Sequence, residues 1–258
     1  MSTGAVTVHA LEVLTQNAWG GAPLWKRRRE HLARAIGELG PDVVGLQEIH
    51  ASAPADAASQ AHELAELAGY DATFAPARVT ASGHCEGVAL LVRRGAVIGD
   101  RTVLELSRDA EDALDGPHPR VALKARLRFP DRADAELTAI VTHLSLSKSA
   151  RARTIVELVA FADAARREGE SAVVMGDFNA TPDEPALGAF AAGGWVDAWR
   201  QHHEAARGGT WPAGAPFRRI DYVFARPGTG LRVASSTRTP VSGSDHVGLL
   251  VRLAKGSS

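Results

Sequence analysis

The chain has 258 residues, of which 45% are hydrophobic and 23% charged, an ordinary balance for a globular protein with a sizeable buried core. Its formal net charge of −1 gives no overall basic footprint, which proteins that coat duplex nucleic acid usually show. The single cysteine, Cys85, excludes an internal disulfide framework and a multi-cysteine zinc site. The sequence shows no signal-peptide pattern and no apolar run of about 18 residues, so we expect a cytoplasmic protein with no membrane span. We also expect a monomer.

The spacing of apolar residues, punctuated by glycine and proline, predicts a mixture of helices and strands. In chain order the predicted elements are strand Val6–Leu14, helix Leu24–Leu39, strand Asp42–Leu46, helix Ala57–Ala68, strands Glu86–Arg93, Arg101–Leu106, Arg120–Phe129 and Glu136–His143, helix Ala150–Glu168, strand 171–175, helix Glu184–Ala191, and strands Ile220–Ala225, Leu231–Thr237 and Val247–Leu253. The Gly- and Pro-containing segments Asp109–Pro119 and Arg207–Pro216 are predicted loops.

Helices and strands alternate along this chain, but not as strict βαβ repeats. This order predicts two sheets packed together with helices outside, an α/β or α+β sandwich. Neither an internal linker nor a repeat is visible in the sequence. We therefore expect a single domain over residues 1–258.

Asparagine, aspartate, glutamate and histidine recur at the ends of the predicted strands. Taken singly, each has an ordinary explanation: Asn17 as a turn residue, Asp177 as an Asx-turn carboxylate, Asp221 as a structural partner and His143 as a hydrogen-bonded core residue. Taken together at one edge of a sheet, they are the groups that metal-assisted phosphoryl chemistry uses. The pattern therefore favours a divalent-metal-dependent phosphoesterase.

Six short motifs make a resemblance specific. In this sequence they are Thr15-Gln16-Asn17-Ala18-Trp19, Leu46-Gln47-Glu48, Thr142-His143-Leu144, Gly176-Asp177-Phe178-Asn179, Arg219-Ile220-Asp221-Tyr222 and Ser244-Asp245-His246. In type and order they resemble the motifs of the endonuclease/exonuclease/phosphatase superfamily, and they span residues 15–246. The resemblance implies a DNase-I-like four-layer α/β-sandwich, in which two facing mixed sheets are flanked by helices and the active site lies at one edge.

The resemblance also implies a role for each motif residue. The metal, Mg²⁺ with Mn²⁺ as an alternative, would be held by Glu48, Asn17 and Asp245. Asp177 would orient and deprotonate the attacking water. The remaining catalytic positions are Asn179 and His143 on the phosphate, His246 binding or protonating the phosphate, Asp221 orienting His246, and Glu86 orienting His143.

Three further side chains are candidate substrate contacts. Arg120 begins a predicted strand and could meet a phosphate, although a surface cation at a strand start is an equal explanation. Trp19 lies two residues after Asn17, and Trp211 lies in the loop before the Asp221 strand. Either indole could stack on a base or cover an apolar group, although most tryptophans are simply packed.

The function we expect is Mg²⁺-dependent hydrolysis of a phosphoester on a small molecule, a lipid headgroup or a nucleotide. The neutral charge and short segments between motifs make nucleic acid the less favoured substrate. Two alternatives stay open: a DNA or RNA nuclease or tyrosyl-DNA-type phosphodiesterase, whose branch shares the Thr-x-Asn-x-Trp string, and a non-catalytic phosphate-binding module. The presence of Glu48, Asp177 and His246 together favours an enzyme over the binding module.

Overall fold

The computed structural model describes residues 10–53, 59–132, 135–164, 169–203, 207–228, 231–239 and 243–255. In chain order the elements are β1 (Ala10–Asn17), α1 (Trp25–Leu39), β2 (Val43–Ala51), α2 (Gln60–Ala68), β3 (Tyr70–Val79), β4 (Cys85–Arg93), β5 (Val97–Glu105), β6 (Val121–Phe129), β7 (Ala135–His143), α3 (Lys148–Ala164), β8 (Ser171–Asp177), α4 (Gly188–Ala192), β9 (Val196–Asp197), α5 (Ala198–His202), β10 (Asp221–Arg226), β11 (Leu231–Arg238) and β12 (Leu249–Lys255). None of the helices in these ranges is long and apolar enough to cross a bilayer.

Two six-stranded sheets form the centre of the molecule. The first has the strand order β11-β12-β1-β2-β4-β3 and the second the order β5-β6-β7-β8-β10-β9. Their facing sides share one apolar cluster that includes Val13, Leu90, Val141 and Met175. This shared cluster holds the two sheets face to face, because separating them would return its apolar surface to water.

Helices cover the outer side of each sheet. Leu32 and Ile36 of α1 and Leu64 of α2 pack on the first sheet, in a cluster with Leu46. On the second sheet Leu158 of α3 and other apolar residues pack with Ile140 and Phe178. The four layers, helix–sheet–sheet–helix, confirm the predicted α/β-sandwich.

Most predicted elements are present, and three were missed: the strand β3, the two-residue strand β9 and the short helix α5. No element was predicted for Tyr70–Val79, which is β3 at the edge of the first sheet. The predicted helix Glu184–Ala191 is a 3₁₀ turn, Pro185–Leu187, followed by the short helix α4. Three predicted elements, those beginning at Val6 and Ala57 and the one ending at Glu168, extend partly outside the described residues.

The strand order brings the polar strand ends to one edge of the sandwich. β1 runs parallel to β2, and β7 runs parallel to β8. In one sheet Asn17 ends β1, and Glu48 follows the last residue of β2 that pairs with β1; in the other sheet His143 and Asp177 end β7 and β8. The antiparallel β10 starts where β8 ends, with Asp221 in register with Asp177.

A close approach between β3 and β4 gives a test of this architecture. A Cβ added at Gly87 would lie 2.0 Å from the backbone oxygen of Ala75, on the neighbouring strand. We expect Gly87→Ala to lower the free energy of unfolding by about 3 kcal/mol, because a backbone clash inside a paired sheet cannot relax cheaply. For a protein of this size the melting temperature should fall by about 6–12 °C in a thermal unfolding scan.

The matched control is Gly37→Ala in α1, where an added Cβ meets no atom within 4 Å. This change should raise stability by about 0.5–1 kcal/mol, since alanine loses less backbone entropy than glycine in a helix. Equal melting temperatures for the two variants would contradict the pairing of β3 with β4.

Candidate active site

Asn17 connects the two sheets at the polar edge. Its Nδ2 donates to Glu48 Oε1 at 3.0 Å and to Asp177 Oδ2 at 3.1 Å, while its Oδ1 accepts from the backbone N–H of Trp19 at 2.9 Å. Carboxylates only accept and an N–H only donates, so these partners fix the orientation of the amide. One fully buried carboxamide thus joins the carboxylate of β2 to the carboxylate of β8.

Glu48 lies in an irregularity of β2. The pairing of β2 with β4 shifts register between Leu46 and Ile49, and Glu48 has a φ of 55°, a left-handed conformation that is costly for a residue other than glycine. Gly20 fits against this kink, since its N–H donates to Glu48 O at 3.0 Å and an added Cβ would lie 2.0 Å from the same oxygen. The bulge therefore redirects the Glu48 side chain, and Gly20 allows the loop after β1 to pass close by.

Asp221, His246 and Asp177 form a buried chain of titratable groups. His246 Nδ1 lies 2.9 Å from Asp221 Oδ2, and His246 Nε2 lies 3.7 Å from Asp177 Oδ2. Thr210 Oγ1 accepts hydrogen bonds from the backbone N–H groups of Ile220 and Asp221, fixing the start of β10. The imidazole is therefore held between two carboxylates.

The surroundings raise the pKa values of Asp177 and His246. Burial raises the pKa of Asp177 to about 7, helped by the charge of Asp221 and opposed by His246 and by two hydrogen bonds. Burial alone would lower the pKa of His246, but the charge and hydrogen bond of Asp221, with the charges of Asp177 and Asp245, raise it to about 9. At neutral pH the imidazole is a cation next to a carboxyl group that can take up or release a proton.

His143 differs from His246 in its protonation state. Burial, followed by the positive charges of Arg120 and His246, lowers the pKa of His143 well below its usual value. Asn179 Nδ2 donates to the backbone oxygen of Leu144 at 2.9 Å and lies 3.2 Å from His143 Nε2, so Nε2 accepts and the ring is neutral. The site thus contains one cationic and one neutral imidazole.

Three carboxylates gather on the side of the site near Glu48. Burial raises the pKa of Glu48, and the neighbouring charges of Glu86 and Asp245 raise it further, against the hydrogen bond from Asn17. Asp245 Oδ2 accepts from Trp211 Nε1 at 3.2 Å, whereas its buried Oδ1 has no hydrogen-bond partner within the described part of the chain. Mutual repulsion and an unpaired buried oxygen are the features of a site suited to a cation.

A second group could also hold a metal ion. Asp177, Asp221 and His246 offer ligand atoms that all lie within 4.8 Å of one another. The predicted metal residues Glu48, Asn17 and Asp245 are a different set, joined to this group by the Asn17–Asp177 hydrogen bond.

The other predicted site residues lie around the same edge. Arg120, Glu86 and His143 line one cavity. No hydrogen bond or ion pair joins Glu86 to His143 within the described ranges. The prediction that Glu86 orients His143 is therefore not supported by a direct contact. Trp19 is 40% exposed and Trp211 is partly buried against Asp245.

Arg28 belongs to the site as well, although the sequence shows it only as part of a basic start to α1. Its guanidinium donates to five backbone oxygens, including Ala18 at 3.1 Å and Gly243 at 2.9 Å, and lies over the rings of Trp19 and Trp25. It thereby joins the loop after β1 to the segment before Asp245. These carbonyl partners depend on the tertiary fold, so no local pattern could have indicated them.

Comparisons with known proteins concern the family and the fold of the chain. Residues 14–246 match the model of the Endonuclease/Exonuclease/phosphatase family. No curated protein sequence matches significantly. Among solved structures, an endonuclease/exonuclease/phosphatase from Beutenbergia cavernae is 24% identical, with a TM-score of 0.77 over 96% of this chain and 72% of that one.

Two further structures share the fold. A mannosyl-6-phosphatase from Bacteroides thetaiotaomicron is 19% identical, with a TM-score of 0.74 over 94% of this chain and 99% of that one. The human Nocturnin catalytic domain, solved with a bound sulfate anion, is 21% identical, with a TM-score of 0.74 over 96% and 95%. The match to the family model covers most of the sequence, and the chain therefore belongs to the endonuclease/exonuclease/phosphatase family.

Proposed function

We propose that this protein is a metal-dependent phosphoester hydrolase in which Asp177 activates the attacking water. The environment of Asp177 carries the proposal. Its Oδ2 lies 3.1 Å from Asn17 Nδ2, 3.6 Å from His143 Nε2 and 3.7 Å from His246 Nε2, and its pKa is raised to about 7. A general base is most effective when its pKa lies near the operating pH.

Glu48 and Asp245, with Asn17 beside them, would hold the metal ion. The unpaired Oδ1 of Asp245 and the repulsion among Glu48, Glu86 and Asp245 support this assignment. Their oxygen donors suit Mg²⁺ or Mn²⁺, whereas an imidazole ligand suits zinc and later transition metals better. When bound, such an ion would neutralise charge on the phosphate.

The Asp177–Asp221–His246 group is better suited to moving protons than to holding the ion. The short contact between His246 Nδ1 and Asp221 already occupies one nitrogen. A cationic imidazole has no lone pair for a metal, and the pKa of His246 is raised to about 9. We therefore assign charge and proton handling to this group.

The reaction we propose breaks one phosphorus–oxygen bond and forms another. Asp177 takes a proton from water as the water oxygen bonds to phosphorus, and the bond to the leaving oxygen breaks. His246 holds the proton that balances charge on a phosphoryl oxygen or on the leaving oxygen. The Asn179 amide would bind a phosphoryl oxygen by exchanging its contact with His143.

A small phosphoester is the substrate class we favour. The net charge of −1 gives little long-range attraction for a polyanion. Trp19 and Trp211 flank the metal side and could cover the organic part of such a substrate. A structure of the same fold is named a mannosyl-6-phosphatase, which is consistent with a small substrate.

The test is hydrolysis of a substrate panel with Mg²⁺ or Mn²⁺, each compared with EDTA. The panel contains p-nitrophenyl phosphate, bis-p-nitrophenyl phosphate, single- and double-stranded DNA and a phospholipid. We expect metal-dependent turnover of a small phosphoester that EDTA abolishes. Turnover confined to DNA would replace the small-molecule proposal by a nuclease, and metal binding without any turnover would favour a phosphate-binding module.

A further inference from the structure

A cavity beside the reacting groups is lined, apart from His143, by residues to which the proposed mechanism gives no part. It lies between β3, β4 and the start of β6, and it includes Glu86 and His143 but not Asp177, Asn179 or His246. The other polar side chains in its lining are Arg78, His118 and Arg120. A group filling this cavity would lie next to a phosphate held at Asp177, and not in its place.

The guanidinium of Arg120 has no anionic partner in the described part of the chain. Its buried Nε makes no hydrogen bond there, and no carboxylate of those residues lies within 4.0 Å of its nitrogens. Burial lowers the pKa of Arg120, while the more distant charges of Glu86, Asp177 and Glu48 act in the opposite direction. Leaving the buried Nε of a guanidinium without a hydrogen-bonded partner is costly, so such an atom commonly marks a place where an anion binds.

Arg78 adds to the positive charge of the cavity, and His118 adds an imidazole that can donate a hydrogen bond. Both side chains are exposed, and Arg78 is the cross-strand neighbour of Glu86 in the β3–β4 pair. Among the residues that line the cavity, two guanidinium groups thus face one carboxylate, Glu86, while the carboxylates of Asp177, Glu48 and Asp115 act on Arg120 from outside the lining. The balance favours an anion, and two arginines offer the planar forks that bind phosphate or carboxylate oxygens in pairs.

We propose that the Arg78–His118–Arg120 cavity binds a second anionic group of the substrate. The substrate would then be a small molecule that carries a phosphate or carboxylate in addition to the phosphate that is cleaved. This inference rests on the proposed function, because it needs the cleaved phosphate at Asp177. Val88, Ala77 and Pro119 line the same cavity with apolar groups.

The test measures competitive inhibition of p-nitrophenyl phosphate hydrolysis at saturating Mg²⁺. The inhibitors are methylphosphonate, with one anionic group, and ethane-, propane- and butane-bisphosphonate, with two groups at increasing separation. We expect at least one bisphosphonate to bind about ten- to a hundredfold more tightly than methylphosphonate, as a charge-assisted contact predicts. Arg78→Gln and Arg120→Gln should each reduce this preference to about threefold or less.

Arg94→Gln is the matched control. Arg94 is an exposed arginine just beyond the end of β4 that lies away from the cavity. In the Arg94→Gln variant, the preference for a bisphosphonate over methylphosphonate should remain at its wild-type value. Equal inhibition by all four compounds in the wild-type protein, or a preference that survives both cavity substitutions, would overturn the inference. Tight competitive inhibition by a single-stranded oligonucleotide, with no bisphosphonate binding more tightly than methylphosphonate, would also overturn the inference. The cavity would then bind a nucleic-acid backbone.

The two proposals fail differently in this experiment. If p-nitrophenyl phosphate is hydrolysed and methylphosphonate inhibits, but no bisphosphonate binds better, only the second anion site is refuted. If no phosphoester is hydrolysed and neither class of phosphonate binds in a direct calorimetric titration, the proposed function fails and the inference fails with it.

Discussion

Replacing Asp177 by asparagine is expected to lower kcat by about 10²–10⁴-fold while leaving the fold intact. Asparagine has almost the same shape, and its Oδ1 can still accept from the backbone N–H of Asn179, as Asp177 Oδ1 does at 2.9 Å, whereas its Nδ2 loses the hydrogen bond that Asp177 Oδ2 accepts from Asn17. It cannot accept a proton at any working pH, so the loss falls on the chemical step. The measurement is steady-state kinetics on the best substrate of the panel, with Mg²⁺ saturating.

The control for this substitution is Asp71→Asn, an exposed aspartate on β3. Its kcat should match the wild-type value, and thermal unfolding should show both variants folded. Near-normal turnover of Asp177→Asn would refute the role of Asp177 as the base. The proton acceptor would then have to be another group, for which the neutral His143, 3.6 Å away, is the next candidate.

The part of the site that could be predicted from sequence is the part encoded by local pattern. Asp177 follows a run of apolar residues that forms β8, and His143 ends β7 in the same way. Parallel neighbours end at the same edge of a sheet, so the polar residues at the ends of β7 and β8 lie together once these two strands pair. The layers of the sandwich were also predictable, since they follow from the resemblance carried by the same motifs.

What could not be predicted depends on partners distant in sequence. β3 contains Pro76 and several alanines, which have weak strand propensity, and it forms at a sheet edge because β4 supplies its hydrogen-bond partners. Missing β3 also meant missing Arg78, which this strand contributes to the anion cavity. In the same way, the bulge at Glu48 reflects the passage of Gly20 beside it and has no local signal.

The two halves of the site are coupled through Asn17. Its amide donates to Glu48 in the first sheet and to Asp177 in the second, and its backbone oxygen accepts from Ser244 Oγ at 2.6 Å. Ser244 Oγ in turn accepts from the backbone N–H of His246 at 3.0 Å. Asp177, His246 and Glu48 are therefore joined by one connected hydrogen-bond network.

The second large effect is expected for Glu48→Gln, which should raise the Mg²⁺ concentration for half-maximal activity by about 10–100-fold. Glutamine can keep the hydrogen bond from Asn17 through Oε1 but brings no negative charge to the ion. The effect should be visible without substrate, as weaker Mn²⁺ binding in a titration followed by electron paramagnetic resonance. Glu66→Gln, an exposed glutamate on α2, is the matched control and should bind Mn²⁺ like the wild-type protein.

Thermal unfolding separates this loss of metal binding from damage to the fold. The folded pKa of Glu48 is raised by burial and by neighbouring carboxylates, so its ionised form costs stability as pH rises above the unfolded pKa. The metal-free Glu48→Gln protein should therefore melt no lower than the wild type at pH 8, yet gain less from added Mg²⁺, because stabilisation follows metal affinity. An unchanged Mg²⁺ response would remove Glu48 from the metal site and favour the Asp177–Asp221–His246 group as the ligands instead.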